Sequence, residues 1–166
     1  MEIRKLTFAA LFVAVGIFAA QVVYIPVGVS KCFPVQHAVN VLLAAFLGTR
    51  YAVNAAFATS LLRNFLGTGS LLAFPGSMFG ALLAGMLYKR TNHVLGAALG
   101  EVVGTGLIGG LAAYPVAQWF LGSKAGAFFF VVPFAVSSAG GAILACLLYY
   151  TPVTAITRQW IRPRGR

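Results

Sequence analysis

From Leu6 to Tyr150 the chain is a succession of long apolar runs, parted by short breaks that hold most of its charge. Such runs need lipid as their solvent: soluble domains carry roughly a quarter charged residues, whereas this chain carries 8%, with 60% apolar residues. At roughly 20 apolar residues per spanning helix, a chain of 166 residues has room for five or six spans. The expected fold is therefore all-α and membrane-embedded, a six-helix bundle forming one domain.

Reading the runs against their glycine, proline and charged breakers places helices at 6–25, 34–47, 51–66, 74–88, 94–121 and 125–150, with a basic tail over 151–166. The second and fourth are short for a bilayer. The fifth and sixth are long, and each holds a proline, Pro115 and Pro133, at which a kink is expected. Arg4 and Lys5 ahead of the first run could open a secretory signal, but that run exceeds a typical signal core and reads as a retained span.

The net charge of +10 would suggest nucleic-acid binding in a soluble protein. Its distribution points instead to topology. With the N-terminus inside, nine basic residues face the cytoplasm (Arg4, Lys5, Arg50, Lys89, Arg90, Arg158, Arg162, Arg164 and Arg166), Lys31 and Lys124 face outward, and Arg63 is intramembrane. Cytoplasmic loops concentrate Lys and Arg, so both ends are expected inside. Cys32 would then lie outside and Cys146 near the inner face, too far apart for a disulfide.

The two outward connections, Pro26 to Phe33 and Gly67 to Ala73, mix glycine with apolar residues rather than with charges. They are expected to fold back over the bundle as a lid. Small residues at four-residue spacing allow helices in lipid to pack closely. Gly76, Gly80 and Ala84 form such a set, as do Gly96, Gly100 and Gly104, and Ser137, Gly141 and Ala145; Ala10 and Ala14 form a pair in the first helix.

Charged residues at membrane depth are costly and default to functional candidates. Glu101 lies in the fifth helix and Arg63 in the third. At 1.5 Å per residue these sit about 10 Å and about 18 Å above the cytoplasmic face. They are expected either to form a buried salt bridge, to line a polar pocket, or both. Gln36, His37 and Asn40 share one face of the second helix at spacings of three and four. Asn64 adjoins Arg63, and Tyr114, Gln118 and Trp119 fall in the outer half of the fifth helix. Together they would offer hydrogen bonds and stacking faces to a small heteroaromatic ligand. Against that, Tyr114 and Trp119 could belong to an interfacial aromatic belt, and His37 could be a packed polar residue.

Catalysis finds little support. One intramembrane carboxylate is too few for the acidic clusters that hold divalent ions, two histidines and two distant cysteines do not converge as a zinc site, and no phosphate-binding loop is present. A membrane enzyme acting on a lipid or isoprenoid, and an autonomous carrier using Glu101 as a proton site, remain as alternatives.

The run Lys31-Cys32-Phe33-Pro34-Val35-Gln36-His37, then Asn40-Val41 and Leu47-Gly48, and Arg63-Asn64-Phe65-Leu66-Gly67-Thr68-Gly69, resembles the ThiW family of substrate-binding S-components. Phe74-Pro75-Gly76-Ser77-Met78 and Gly100-Glu101-Val102-Val103-Gly104-Thr105-Gly106 strengthen the likeness. The resemblance implies the substrate-binding subunit of an energy-coupling-factor importer in a prokaryotic cell membrane. Such a subunit has no cofactor of its own: a transmembrane coupling subunit and two ATPase subunits supply the ATP-driven step. It also implies a thiamine precursor, hydroxyethylthiazole, as ligand, and Gln36, His37, Asn40, Arg63, Asn64 and Glu101 are the residues expected to hold it. Members carry an Ala-x-x-x-Ala motif toward the coupling subunit, which Ala10 and Ala14 match. A neutral thiazole alcohol needs no guanidinium, so either Glu101 neutralises Arg63 or the ligand is phosphorylated.

Overall fold

A computed structural model describes residues 2–27, 30–152, 154 and 157. The side chain of Glu2, most of the basic tail with Arg158, Arg162, Arg164 and Arg166, and Gly28 and Val29 lie outside the described residues. Among the described residues six helices form one bundle: α1 (Glu2–Val22), α2 (Pro34–Leu47), α3 (Thr49–Phe65), α4 (Ala73–Thr91), α5 (Val94–Leu121) and α6 (Val131–Tyr149). Three of them, α5, α6 and the Ile3–Val22 stretch of α1, are long and apolar enough to cross a bilayer unaided. Their outward faces carry large apolar side chains such as Phe18, Leu107, Ile143 and Leu147, as a lipid-facing surface requires.

Helix α2 is the axle of the bundle and packs on all five others. That explains its shortness: at 14 residues it is about 21 Å long, and it is enclosed by protein rather than by lipid. Proline at its first position, where no hydrogen bond is lost, and Gly48 at its end set limits that match the expected ones. Its lower half contributes Val41, Leu42, Leu43 and Ala44 to an apolar core shared with alanines of α3 and α4 and with Ala145 of α6. Its upper half carries the polar residues.

Four boundaries differ from the sequence reading. The first helix stops at Val22 rather than Ile25, because the residue before Pro26 is driven to extended backbone; Ile25–Val27 (β1) pairs antiparallel with Ser30–Cys32 (β2) in a small hairpin. The third helix begins slightly earlier, at Thr49. The fourth is not short: it runs through Lys89 and Arg90 to Thr91, since basic side chains suit a helix C-terminus, and Asn92 ends it in the left-handed conformation with φ 51°. The sixth begins at Val131, not Ala125, after turns closed by Phe129 N–H to Gly126 O and Val131 N–H to Phe128 O. Pro133 consequently falls in the first turn of α6, where its missing N–H costs nothing, and the kink expected there has no cause.

The seam between α4 and α5 is built from the expected glycines. Gly80, Gly100 and Gly104 bring the two backbones together, but the next close approach is Gly109 against Gly76 rather than a residue four positions on. Residues Val102–Gly109 form a π-helical stretch. A π turn bonds i to i+5, so the spacing widens from four to five, and the second half of α5 is rotated relative to a regular helix.

The hairpin folds back on the bundle as expected for a lid. Cys32 is 1% exposed and donates its S–H to Pro133 O at 3.1 Å, and Phe33 N–H donates to Ser137 Oγ at 2.8 Å. Burial also pushes the Cys32 thiol above its ordinary pKa, and the thiolate is the reactive form. A maleimide is therefore expected to label Cys32 slowly in the folded protein at neutral pH, faster as pH rises, and fully in denaturant. Labelling at the rate of a free thiol would show that the hairpin stands open.

Candidate functional site

At the hairpin end of the bundle the first turns of α2, α4 and α6, the last turn of α3 and the 66–72 connection surround a cavity of about 290 Å³. Its wall includes Gln36 and His37 from α2, Arg63 from α3, Ser77 from α4, Thr105 from α5 and Ser137 from α6, with Phe33, Phe130 and Phe134 as apolar faces. Both connections contribute, through Lys31 and Phe33 on one side and Thr68, Gly69 and Ser70 on the other. Ligand pockets run from roughly 300 Å³ upward, so this one suits a single ring with a short side chain.

Arg63 is 1% exposed although it is the largest polar group in the wall. One terminal nitrogen donates to Gln36 Oε1 and the other to the Thr68 carbonyl at 2.7 Å. The guanidinium face lies 3.8 Å from the centroid of Phe33, a cation–π contact. Its Nε has no partner among the described residues. The Thr68 carbonyl is held in place because the 66–69 turn closes on Arg63 itself: Thr68 N–H and Gly69 N–H both donate to Arg63 O, at 2.9 and 3.0 Å.

Glu101, fully buried, does not pair with Arg63, and the expected salt bridge is absent among the described residues. Its Oε1 accepts from His37 Nδ1 at 2.7 Å, Asn40 Nδ2 at 3.1 Å and Thr105 Oγ1 at 3.0 Å. The remaining Oε2 is unpartnered among the described residues. Counting rise along two helices compares depth only; the direction each side chain takes around its helix axis brings His37, not Arg63, to the carboxylate. With its Nδ1 on Glu101, His37 is fixed in orientation.

The two charged centres are linked through neutral groups. Gln36 Nε2 and Asn40 Nδ2 both donate to Ser77 Oγ at 3.1 Å, so a hydrogen-bonded path runs from Arg63 through Gln36, Ser77 and Asn40 to Glu101. In an interior of low dielectric, hydrogen bonds linked in this way strengthen one another, even with Arg63 Nε and Glu101 Oε2 left over among the described residues. They hold the polar wall in one arrangement before any ligand arrives.

Of the expected site residues, Gln36, His37, Asn40, Arg63 and Glu101 converge, the first two and Arg63 on the cavity and the other two directly behind it. Asn64 stays outside the wall: its amide donates to Ser60 O at 2.8 Å and Ser70 O at 3.0 Å, fastening the connection to the end of α3. Tyr114, Gln118 and Trp119 do not reach the cavity. The π stretch turns Gly110, Ala113 and Ala117 inward, leaving Gln118 exposed and Trp119 80% exposed, where an aromatic belt would sit. Sequence reasoning gave none of Ser77, Thr105 and Ser137 a place in the site: Ser77 and Thr105 stood only within the family-like motifs, and Ser137 only in a small-residue stripe. A hydroxyl in such a stripe, in a chain with buried amides and a carboxylate needing partners, was the available signal.

No curated protein and no solved structure matches this chain. Residues 6–152 match the family described as thiamine-precursor transporter protein (ThiW), and because the match covers most of the sequence, this multi-pass membrane chain belongs to the ThiW family of thiamine-precursor transporters.

Proposed function

We propose that the chain is the substrate-capturing subunit of an energy-coupling-factor importer and that its ligand is the thiazole precursor of thiamine, of the hydroxyethylthiazole class. The observation that carries this reading is the cavity at the hairpin end, preorganised by hydrogen bonds and roofed by two connections. Preorganisation favours tight binding because little ordering remains to be done when the ligand arrives. Gln36, His37 and Arg63 contact the ligand from the wall, with Ser77 and Ser137 as further hydrogen-bonding groups and Phe33, Phe130 and Phe134 as ring-stacking faces. Asn40 and Glu101 hold them from behind, and Asn64 holds the roof.

The same charge asymmetry that sets both termini in the cytoplasm turns the cavity mouth outward, so capture takes place at the outer face. The chain uses no cofactor; a transmembrane coupling subunit and two ATPase subunits provide the energy for release inside. Helix α1 packs on α2 and α3 and leaves Ala10 exposed and Ala14 half-buried. That small, accessible pair supports docking of the coupling subunit there.

The docking assignment separates transport from binding. Ala10→Trp places a large ring on the small face, far from the cavity. Uptake by cells carrying the coupling subunits is expected to fall to background, while the affinity of the purified chain changes by less than about twofold, within the range of surface substitutions. If binding fails together with uptake, α1 serves the fold and not the partner.

A further inference from the structure

We propose that the ligand enters this site as an anion, a phosphate monoester of the precursor, with its phosphoryl oxygens on Arg63 and Lys31. The inference rests on the reading that the cavity captures a thiamine precursor, and it names the charge state of that precursor. Burying a cation without a counter-charge is costly, and Arg63 is 1% exposed with only neutral protein partners: the Gln36 amide oxygen, the Thr68 carbonyl and the Phe33 ring. The one buried carboxylate among the described residues, Glu101, is engaged by His37, Asn40 and Thr105 and does not offset it.

Arg63 also keeps unused donor capacity. A guanidinium has five N–H groups; two are taken by Gln36 and Thr68, and Nε has no partner among the described residues. Arg63 is among the residues that line the cavity, and the planar fork of a guanidinium is the geometry that phosphate oxygens match. At the exposed rim Lys31 also lines the cavity, its ammonium held 4.7 Å from the centroid of Tyr24. Two cations at the cavity against a carboxylate already shared among three donors leave a positive site. A neutral alcohol would leave that charge uncompensated, whereas a phosphate monoester carries about the charge needed to balance it.

The test is calorimetric titration of the purified full-length chain with hydroxyethylthiazole, with its phosphate ester, and with inorganic phosphate as competitor. The ester is expected to bind at least about tenfold more tightly than the alcohol, and inorganic phosphate at millimolar concentration to displace it. In Arg63→Gln and Lys31→Gln that ratio is expected to shrink toward one. An alcohol that binds as tightly as its ester in the unaltered chain overturns the inference while leaving thiazole capture intact, and this arm stands even if Arg63→Gln fails to fold. A ratio that persists in a folded Arg63→Gln variant also overturns it. If neither compound binds, the proposed function itself fails, and the inference with it.

Discussion

Arg63→Ala is expected to weaken binding of the thiamine precursor by about a hundredfold, equivalent to about 3 kcal/mol. Hydrogen bonds to charged groups are worth about 1.5–3 kcal/mol each, and the substitution removes both the guanidinium's bonds to the ligand and the groups that shape the wall. Gln36 loses the donor to its Oε1, and Thr68 loses the donor that ties its carbonyl inward at 2.7 Å. Phe33 loses the cation on its face. Arg63→Lys keeps the charge but not the fork and is expected to restore only part of the affinity. Thermal unfolding supplies the control. Binding lost with an unchanged melting temperature assigns Arg63 to the ligand, loss of both assigns it to the connection over the cavity, and unaltered binding contradicts a role in recognition.

The second large effect lies in the α4–α5 seam. Gly104→Ala is expected to lower stability by about 3 kcal/mol or more, since overpacking that meets backbone cannot be relieved by a change of rotamer. A Cβ at Gly104 would stand 2.5 Å from Phe79 O and 2.8 Å from Gly80 Cα. The two helices would have to part, and with them Glu101 and Thr105 from Gly76 and Ser77. Gly126→Ala is the matched comparison: a Cβ there meets nothing within 4 Å, and its effect is expected within about 0.5 kcal/mol. Unfolding midpoints in detergent distinguish them. A Gly104→Ala protein as stable as Gly126→Ala would mean that the helices are not in close contact.

Much of this architecture was legible because lipid leaves few options. Apolar runs of spanning length, Pro34 opening α2, Gly48 closing it and the unbroken stretch from Val94 to Leu121 were read to the residue. Features that depend on how backbones meet were not. The widening from Gly104 to Gly109 comes from a π turn that no residue type announces, and it moves Tyr114, Gln118 and Trp119 off the cavity. The late start of α6 reflects turns at 126–130 whose composition, Gly-Ala-Phe-Phe-Phe, is as apolar as the helix that follows.

The site was legible to a similar degree. Polar residues are rare in this chain, so Gln36, His37, Asn40, Arg63 and Glu101 stood out as a group. Pairing Arg63 with Glu101 followed from opposite charge and compatible depth. The structure pairs Glu101 with His37 instead, because facing across two helices, not height along them, decides which side chains meet. The hydroxyls of Ser77 and Thr105, hidden among glycines, complete the network.

The central claim, that the hairpin-end cavity captures one thiamine precursor without help from a partner, is tested most directly by calorimetric stoichiometry on the purified chain, in the absence of ATP and other subunits. The account predicts saturable one-to-one binding that disappears when Ser137→Phe fills the cavity, in a variant that still folds. Binding that survives the filled cavity would contradict it.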